Sequence, residues 1–418
     1  MRTLVLDNGS YSIKCGYAED IGTGSDGQKR KELPLVIPNT VTRTKRTRRV
    51  CVADLAETGT GGDLSGLYYR SPFERGYLVR WDAELAIWDR VLSDAVLGCT
   101  PGETHLTVTE PVLNFAQIQR NMDEVVFEEY GFASAVRTPA TRLAAAEVAA
   151  ASGAAECVVV VDVGHAATHV VPYWRGRQVV EAIRRVDVGG RMLTNYLKET
   201  VSFRYWDMTD ETYIMNAVKE QTCFVSRDFA RDQENAAAVR VEYVLPDFVT
   251  STRGYVRSGD GASLADRQQI QNQQVLPLAR ERFAVPEALF HPSDVAIDDA
   301  GGIHRAVVQA IGACPSETRG VMLANIALVG GSARLPGLRE RLQAEVQAMS
   351  PDTARVSVTV SGNGDGDGDG DDPAACAWRG GCLLAEQQKT APDGWRVSRQ
   401  EYHELGPDRT VAHFARFS

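Results

Sequence analysis

Short apolar runs that end in an acidic or glycine-containing turn recur along the chain and predict β-strands. Residues 4–17 read LVLDNGSYSIKCGY, an apolar strand that ends at Asp7, a small turn and a second strand. Residues 157–173, CVVVVDVGHAATHVVPY, repeat this arrangement with Asp162 in the equivalent place. A further apolar run leads through two glycines into a helical pattern over residues 325–346. The chain thus carries two matched hairpins and one strand–turn–helix unit.

Helical periodicity separates these units. Residues 76–92 predict a short strand followed by an amphipathic helix, with Trp81 and Trp88 on one apolar side. Residues 105–111 predict a strand that is ended by proline. Further helices are predicted over residues 117–132, closing near Gly131, and over residues 140–155, 191–203 and 213–229.

Three stretches lack such periodicity and are predicted to be flexible insertions. Residues 22–65 are polar and glycine-rich, so they are expected to be largely loop. Residues 250–274 are polar and rich in glutamine, and residues 361–373 contain repeated Gly-Asp pairs, whose like charges and glycine entropy oppose order. A chain of 418 residues is also too long for one ordinary core, which favours two domains.

The composition is that of a soluble globular protein, with 44% hydrophobic and 24% charged residues. Eight scattered cysteines without a CxxC pair are typical of reduced, packed thiols rather than of disulfides or a zinc site. The apolar run that ends at Asp7 is too short for a signal peptide, and none approaches the ~20 apolar residues of a membrane span. These features predict an intracellular protein without membrane contact.

The net charge of −10 argues against nucleic-acid binding by the chain as a whole. One basic patch departs from this average, formed by Arg43, Lys45, Arg46, Arg48 and Arg49. Three interpretations stay open for it: a solvated loop, a nuclear-import signal or a surface that contacts phosphates.

The two matched hairpins suggest a shared chemistry. If their turns face each other across a cleft, backbone N–H groups can bind a polyphosphate while Asp7 and Asp162 hold the waters of a magnesium ion. Glycine permits close approach of the backbone, and Lys14 can neutralise phosphate charge. The Gly330-Gly331-Ser332 turn can admit a nucleoside beside a helix. A single Asp-x-Gly hairpin would be read as structural, whereas two copies indicate a nucleotide clamp.

These motifs resemble those of the actin superfamily. The similarity extends over most of the chain and includes DNGSYSIKCGYAED, DVGHAATH, VKEQTCFVSRDF, ERFAVPEALFHPSD, LVGGSARLPGL and WRVSRQEYHELG. It implies an α/β fold shared with sugar kinases and heat-shock chaperones, a ribonuclease H-like fold with two lobes and four subdomains around a nucleotide cleft. Residues 1–139 and 375–418 would form the small lobe, and residues 140–374 the large lobe.

The resemblance also implies a set of nucleotide-binding residues. The first phosphate loop would use Asp7, Gly9, Ser10 and Lys14, and the second Asp162 and Gly164. The nucleoside would contact Lys219, Glu220, Gly330, Gly331 and Ser332, and the expected ligand is ATP or ADP with magnesium in a structural role.

Departures from the actin pattern predict that hydrolysis is very slow or absent. In the second loop Val163 replaces a serine, His165 an acid and Ala166 a glycine, and the water-positioning glutamine of actin falls near Ala140. Groups of this kind typically contribute ~10²- to 10⁴-fold in rate. No residue is therefore predicted to be catalytic, and the protein is expected to be a pseudo-ATPase.

LYYRSPFERGYLVRWD, VPYWRGR and EYVLPDF are similar to a nuclear, non-filament branch of the superfamily. That branch implies a scaffold subunit of an ATP-dependent chromatin-remodelling complex that exchanges a histone variant into nucleosomes. Expected partners are a Snf-type motor, a zinc-HIT subunit, nucleosomal histones and DNA, and the expected location is the nucleus, alone or together with the cytoplasm. The alternative is a divergent, nucleotide-hydrolysing cytoskeletal protein.

Overall fold

The computed structural model describes most of the chain, namely residues 1–20, 22–23, 29–30, 33–45, 48–55, 66–153, 157–248, 251, 253–257, 273–297, 301–362, 372–388 and 394–416. The strands within these ranges are, in chain order, β1 Arg2–Asn8, β2 Ser12–Tyr17, β3 Gly22–Thr23, β4 Lys29–Arg30, β5 Leu35–Pro38, β6 Val41–Thr44, β7 Val50–Val52, β8 Leu67–Arg70, β9 Phe73–Glu74, β10 Tyr77–Leu78, β11 Thr104–Glu110, β12 Ser134–Pro139, β13 Cys157–Val163, β14 Thr168–Trp174, β15 Arg177–Gln178, β16 Arg184–Val186, β17 Val241–Val244, β18 Tyr255–Val256, β19 Val275–Leu278, β20 Ile326–Val329, β21 Val358–Val360 and β22 Val397–Ser398.

The α-helices of the described ranges are α1 Trp81–Leu92, α2 Ala116–Glu124, α3 Ala140–Ser152, α4 Gly190–Arg204, α5 Thr212–Thr222, α6 Phe229–Glu234, α7 Glu281–Glu287, α8 Gly302–Gly312, α9 Ser316–Leu323, α10 Leu338–Ala348, α11 Cys376–Gln388, α12 Arg399–Leu405 and α13 Pro407–Ala415. Helix α2 continues as a π-helical turn, Val125–Glu129, and the chain reverses at Gly131 with φ of +69°. The predicted end of this helix near Gly131 is confirmed.

The first six-stranded sheet has the order β22-β12-β11-β1-β2-β5. Strands β1 and β2 form the predicted antiparallel hairpin, and β1 pairs in parallel with β11, which pairs in parallel with β12. In β1 only Arg2 is exposed, because neighbours cover the strand on both faces. Its core includes Leu4, Leu6 and Trp88.

The second six-stranded sheet repeats this plan. Strands β13 and β14 form the predicted hairpin, β13 pairs in parallel with β20, and β20 pairs in parallel with β21. The valine-rich run of β13 packs into a core that includes Val159, Val161 and Leu328. Because parallel strands place their carboxyl ends at one edge, Asp162 and the glycines after β20 meet at that edge.

The described part of the stretch 22–65, which was predicted to be largely loop, contains the strands β5, β6 and β7, and Ile37 and Cys51 are buried in them. Residues 24–28, 31–32, 46–47 and 56–65 of this stretch lie outside the described residues. One helix prediction is wrong in its extent. The helix predicted over 213–229 ends at Thr222, since the next backbone N–H groups bond to other segments: that of Phe224 donates to the carbonyl of Arg282, and that of Val225 to the carbonyl of Pro336.

Other predictions rest on the described residues only in part. Most of residues 250–274 and 361–373 lies outside them, although Tyr255–Val256 pairs with β17.

All eight cysteines are free thiols, and burial raises the pKa of Cys15 and Cys223 to about 12. Trp88 and Trp378 are buried, whereas Trp81 is half-buried. In the part of the chain that the structure describes, every helix is too short or too polar to cross a bilayer.

Candidate functional site: a cleft between two acid-tipped turns

The first turn follows directly from β1, in which Asp7 is the second-to-last residue. The Thr109 hydroxyl, at the end of the parallel strand β11, donates a hydrogen bond to Oδ1 of Asp7 at 2.9 Å. Nζ of Lys14 lies 3.6 Å from Oδ2 of the same carboxylate. A Cβ on Gly9 would come within 2.9 Å of the carbonyl oxygen of Ser12, so the tight turn requires glycine. These contacts fix the predicted first-loop residues at one edge of the sheet.

A buried carboxylate supports this turn from behind, and the sequence analysis missed it. Oε1 of Glu84 accepts hydrogen bonds from Nδ2 of Asn8 at 2.6 Å and from Nε1 of Trp88 at 3.1 Å. Burial raises the pKa of Glu84 to about 7. The signal was an acid on the apolar side of helix α1, one turn before Trp88.

The second turn follows β13 and lies against the Gly330 turn. Gly330 has φ of +88°, and a Cβ there would come within 2.5 Å of Oδ1 of Asp162 and 2.8 Å of the carbonyl oxygen of Val163. Only glycine allows this approach. Burial and the negative charge of Asp7 raise the pKa of Asp162 to about 7, while Lys14 opposes this shift. The two aspartates therefore face the same space, as the clamp hypothesis requires.

Side chains of the two turns also touch directly. The rings of Tyr11 and His165 have centroids 4.9 Å apart at an angle of 40°. The Tyr11 hydroxyl accepts a hydrogen bond from Nδ2 of Asn216, on helix α5, at 3.1 Å. Burial, followed by the charges of Lys219, Arg191 and Lys14, lowers the pKa of His165 to about 3, which keeps its imidazole neutral at physiological pH. Sequence reasoning did not single out Tyr11 or Asn216.

The predicted nucleoside residues on helix α5 are held by internal hydrogen bonds. Nζ of Lys219 donates to the carbonyl of Gly190 at 3.1 Å and to oxygens of Thr194 and Asn216, both at 2.9 Å. Burial lowers the pKa of Lys219. Oε1 of Glu220 accepts from Nδ2 of Asn216 at 2.8 Å. The ammonium group is thus oriented by the protein itself.

One cavity of about 430 Å³ brings these groups together. His169 and Ala140 are also among its lining residues, and burial lowers the pKa of His169 to about 4. Every predicted nucleotide-binding residue lines it, namely Asp7, Gly9, Ser10, Lys14, Asp162, Gly164, Lys219, Glu220, Gly330, Gly331 and Ser332.

These residues fit a magnesium nucleotide. Burial, and then the like charge of Asp7, raises the pKa of Asp162, and a divalent cation held by the two carboxylates would offset both effects. Among the described residues no group of three or more histidine, cysteine or acidic side chains could hold a metal ion. Two carboxylates acting through water, with phosphates as further ligands, is the usual way in which proteins bind magnesium.

The basic patch lies away from this cavity. Arg43 is on β6, and Arg48 and Arg49 lie in the turn before β7, all three exposed; Arg46 lies outside the described residues. Lys45 forms an ion pair with Asp210. The described residues of the patch thus lie on or beside the β6–β7 hairpin, and none of them lines the cavity.

The protein has two similar sheets, and a turn that carries an aspartate connects each sheet to the same cavity. This arrangement defines a two-lobed protein with a nucleotide cleft. Sequence comparison identifies the family. The profile described as Actin matches residues 1–415, and the chain belongs to the actin family. The predicted fold class, the two-lobed actin fold, is thereby confirmed, and membership indicates nucleotide binding in general.

Individual relatives are similar over nearly their whole length. Actin-related protein 6 of Drosophila melanogaster is 37% identical over 417 residues, which are 96% of this chain and 97% of the relative. Actin-related protein 6 of Neurospora crassa is 36% identical over 449 residues, 99% of this chain and 94% of the relative. Actin-related protein 6 of Arabidopsis thaliana is 33% identical over 440 residues, which are 98% of this chain and 99% of the relative. All three relatives carry the name actin-related protein 6, and the predicted similarity of this chain to that branch of the superfamily is confirmed.

Proposed function

We propose that this protein is a non-catalytic, actin-fold scaffold subunit of a nuclear ATP-dependent chromatin-remodelling complex that exchanges a histone variant into nucleosomes. Its role there is to help assemble the complex and engage the nucleosome, and so to contribute to the regulation of transcription. The observation that carries the non-catalytic part of the proposal is the composition of the cleft. It keeps the parts of a nucleotide clamp, while Val163, His165 and Ala140 stand where actin has a serine, an acid and the water-positioning glutamine.

The groups near the two aspartates support a pseudo-ATPase. Val163 has no hydroxyl to donate, Ala140 lines the cavity without a polar group, and the neutral His165 stands where the family pattern has an acid. General-base and water-orienting groups need a polar atom within hydrogen-bond reach of the nucleophile. ATP or ADP with magnesium then acts as a structural ligand, which stabilises the folded protein by mass action.

Similarity to actin-related protein 6 over nearly the full chain supports the choice of complex. The proposed partners are a Snf-type motor subunit, a zinc-HIT subunit and the histones and DNA of the nucleosome. The proposed location is the nucleus, with or without a cytoplasmic pool. The basic patch is available there as an import signal or a phosphate contact.

Phosphate release tests the lack of catalysis. The purified chain, mixed with Mg-ATP, is expected to release no phosphate above a protein-free blank over hours, while conventional actin measured in parallel does. Melting temperature is recorded in the same samples to detect binding of a nucleotide. Release at the rate of conventional actin would overturn the pseudo-ATPase assignment.

Co-purification tests the scaffold role. A tagged chain recovered from nuclear extract is expected to bring down a Snf-type motor and a zinc-HIT protein in stoichiometric amounts. Recovery instead in sedimentable filaments of its own would support the cytoskeletal alternative. These two results exclude one another and do not depend on whether the cleft is occupied.

A further inference from the structure

A bridge of side chains closes the gap between the tips of the two turns. Tyr11 extends from the first turn, contacts the ring of His165 on the second at a centroid distance of 4.9 Å, and accepts a hydrogen bond from Asn216. Asn216 in turn donates to Glu220 on the same helix. One tyrosine thus connects the first phosphate turn with the second turn and with the helix that carries the predicted nucleoside residues.

The bridge leaves no space for a phosphate group at the tips. Aromatic rings with centroids 4.5–7 Å apart are in van der Waals contact, so a tetrahedral anion cannot lie between Tyr11 and His165. Deeper in the cavity the turns stay apart, and Asp7, Gly9, Asp162 and Gly164 all line open space. A phosphate chain in that space is therefore bounded by the two rings.

We infer that Tyr11 and His165 determine ligand length, so that the cleft accepts a nucleoside diphosphate and rejects a nucleoside triphosphate. This inference rests on the proposed role of the cleft as a structural nucleotide site and narrows its ligand to the ADP class. It gives a second reason for the absence of hydrolysis, because the bond that an ATPase cleaves is missing from the bound ligand.

Binding to the nucleotide-free chain tests this. The full-length protein, stripped of nucleotide, is titrated in a calorimeter with Mg-ADP and with the magnesium complex of the non-hydrolysable β,γ-imido analogue of ATP, and melting temperatures are measured with each. Mg-ADP is expected to bind and raise the melting temperature. The analogue is expected to bind at least about tenfold more weakly.

Three variants distinguish an effect of the ring contact on ligand binding from a general loss of structure. Tyr11→Gly opens the tips and is expected to bind the analogue as tightly as ADP. Tyr11→Phe keeps the ring contact, loses only the hydroxyl, and is expected to reject the analogue as the native chain does. If circular dichroism shows that Tyr11→Gly is unfolded, His165→Ala tests the inference instead, because it removes the other ring of the bridge.

Equal affinity of the native chain for ADP and the analogue would overturn the inference, as would binding of neither. Rejection of the analogue by both Tyr11→Gly and His165→Ala would overturn it as well. Binding of neither ligand would also overturn the structural role proposed for a nucleotide, whereas none of these results affects the scaffold role, which depends on the co-purified subunits. Conversely, loss of the partners would leave the ligand-length measurement valid.

Discussion

Glu84 combines complete burial with a position directly behind the first turn. Its carboxylate accepts hydrogen bonds from Asn8 and Trp88, which favour the charged form, yet burial is the larger effect and raises its pKa to about 7 from an ordinary value of 4.5. The folded protein therefore keeps the Glu84 proton over a range in which the unfolded chain has lost it. Stability from this group is present below pH 4.5 and is lost as the pH rises through about 7.

The Glu84→Gln variant tests this linkage. The amide of the new side chain keeps an oxygen to accept the two hydrogen bonds and carries no charge at any pH. As the pH rises from 5 to 8, the free energy of unfolding is therefore expected to fall less in the variant than in the native protein. The difference is up to roughly 3 kcal/mol, since one pKa unit is about 1.4 kcal/mol. Urea unfolding of both proteins at the two pH values measures the difference. Parallel pH profiles would show that Glu84 does not titrate in this range.

The sequence predicts those site residues that are part of a local sequence motif. It does not predict residues whose role depends on contacts with distant parts of the chain. Asp7 and Asp162 each end an apolar run, so the printed sequence displays them. Tyr11 gains its role only from contacts with His165 and Asn216, which are far away in the chain. A single sequence contains no record of such contacts.

Helices α3 and α11 cross very closely. A Cβ on Gly380 would lie 1.9 Å from the carbonyl oxygen of Leu143, and one on Gly381 would lie 2.5 Å from Cγ1 of Val5. The obstacle at Gly380 is backbone, which cannot rotate away. This glycine pair joins the helix after β12 to the helix that packs on β1, at the base of the cleft.

Gly380→Ala is expected to destabilise the protein by about 3 kcal/mol, because the helices must separate to admit the methyl group. Gly320→Ala is the matched control, since Gly320 is also helical and has no atom within 4 Å of the added Cβ. The control is expected to be neutral or to gain up to about 1 kcal/mol from better helix propensity. Thermal unfolding compares the two. Equal effects would mean that the crossing tolerates a methyl group.

Among the elements, long periodic segments were predicted well and short strands poorly. The hairpins and helices α1, α3 and α4 follow from unbroken apolar periodicity. Strands β6 and β7 have three or four residues each around a basic turn, so their pattern is too brief to read and they form because Thr42 and Cys51 are buried. Helix α5 is shorter than its apolar periodicity predicts, because the backbone N–H groups of Phe224 and Val225 donate to carbonyls of other segments.

Two contacts link the segment around the basic patch to residues 210 and 211, which are far away in the chain. Lys45 pairs with Asp210, and the backbone N–H of Gly66 donates to the carboxylate of Glu211 at 3.1 Å. The resemblance to actin implies that this segment stands where conventional actin inserts a loop into the next subunit of a filament. Here it carries five cations in seven residues, and one of them is engaged within the chain.

The chain is therefore expected not to polymerise. Lengthwise growth repeats one heterologous contact, and loss of either half stops it. Centrifugation at micromolar concentration in magnesium and potassium salts is expected to leave the protein in the supernatant and conventional actin in the pellet. Light scattering gives an independent measure of particle size. A sedimentable, nucleotide-dependent polymer would contradict the prediction.

The first sheet is assembled from distant parts of the chain. Strand β22 pairs with β12, helix α11 reaches Val5 through Gly381, and Tyr402 stacks on Phe127 with ring centroids 4.7 Å apart. A nascent chain still attached to the ribosome lacks these pieces, so its amino-terminal strands expose apolar surface throughout synthesis. Cellular yield of this protein should accordingly depend on chaperones that shield the surface until translation ends.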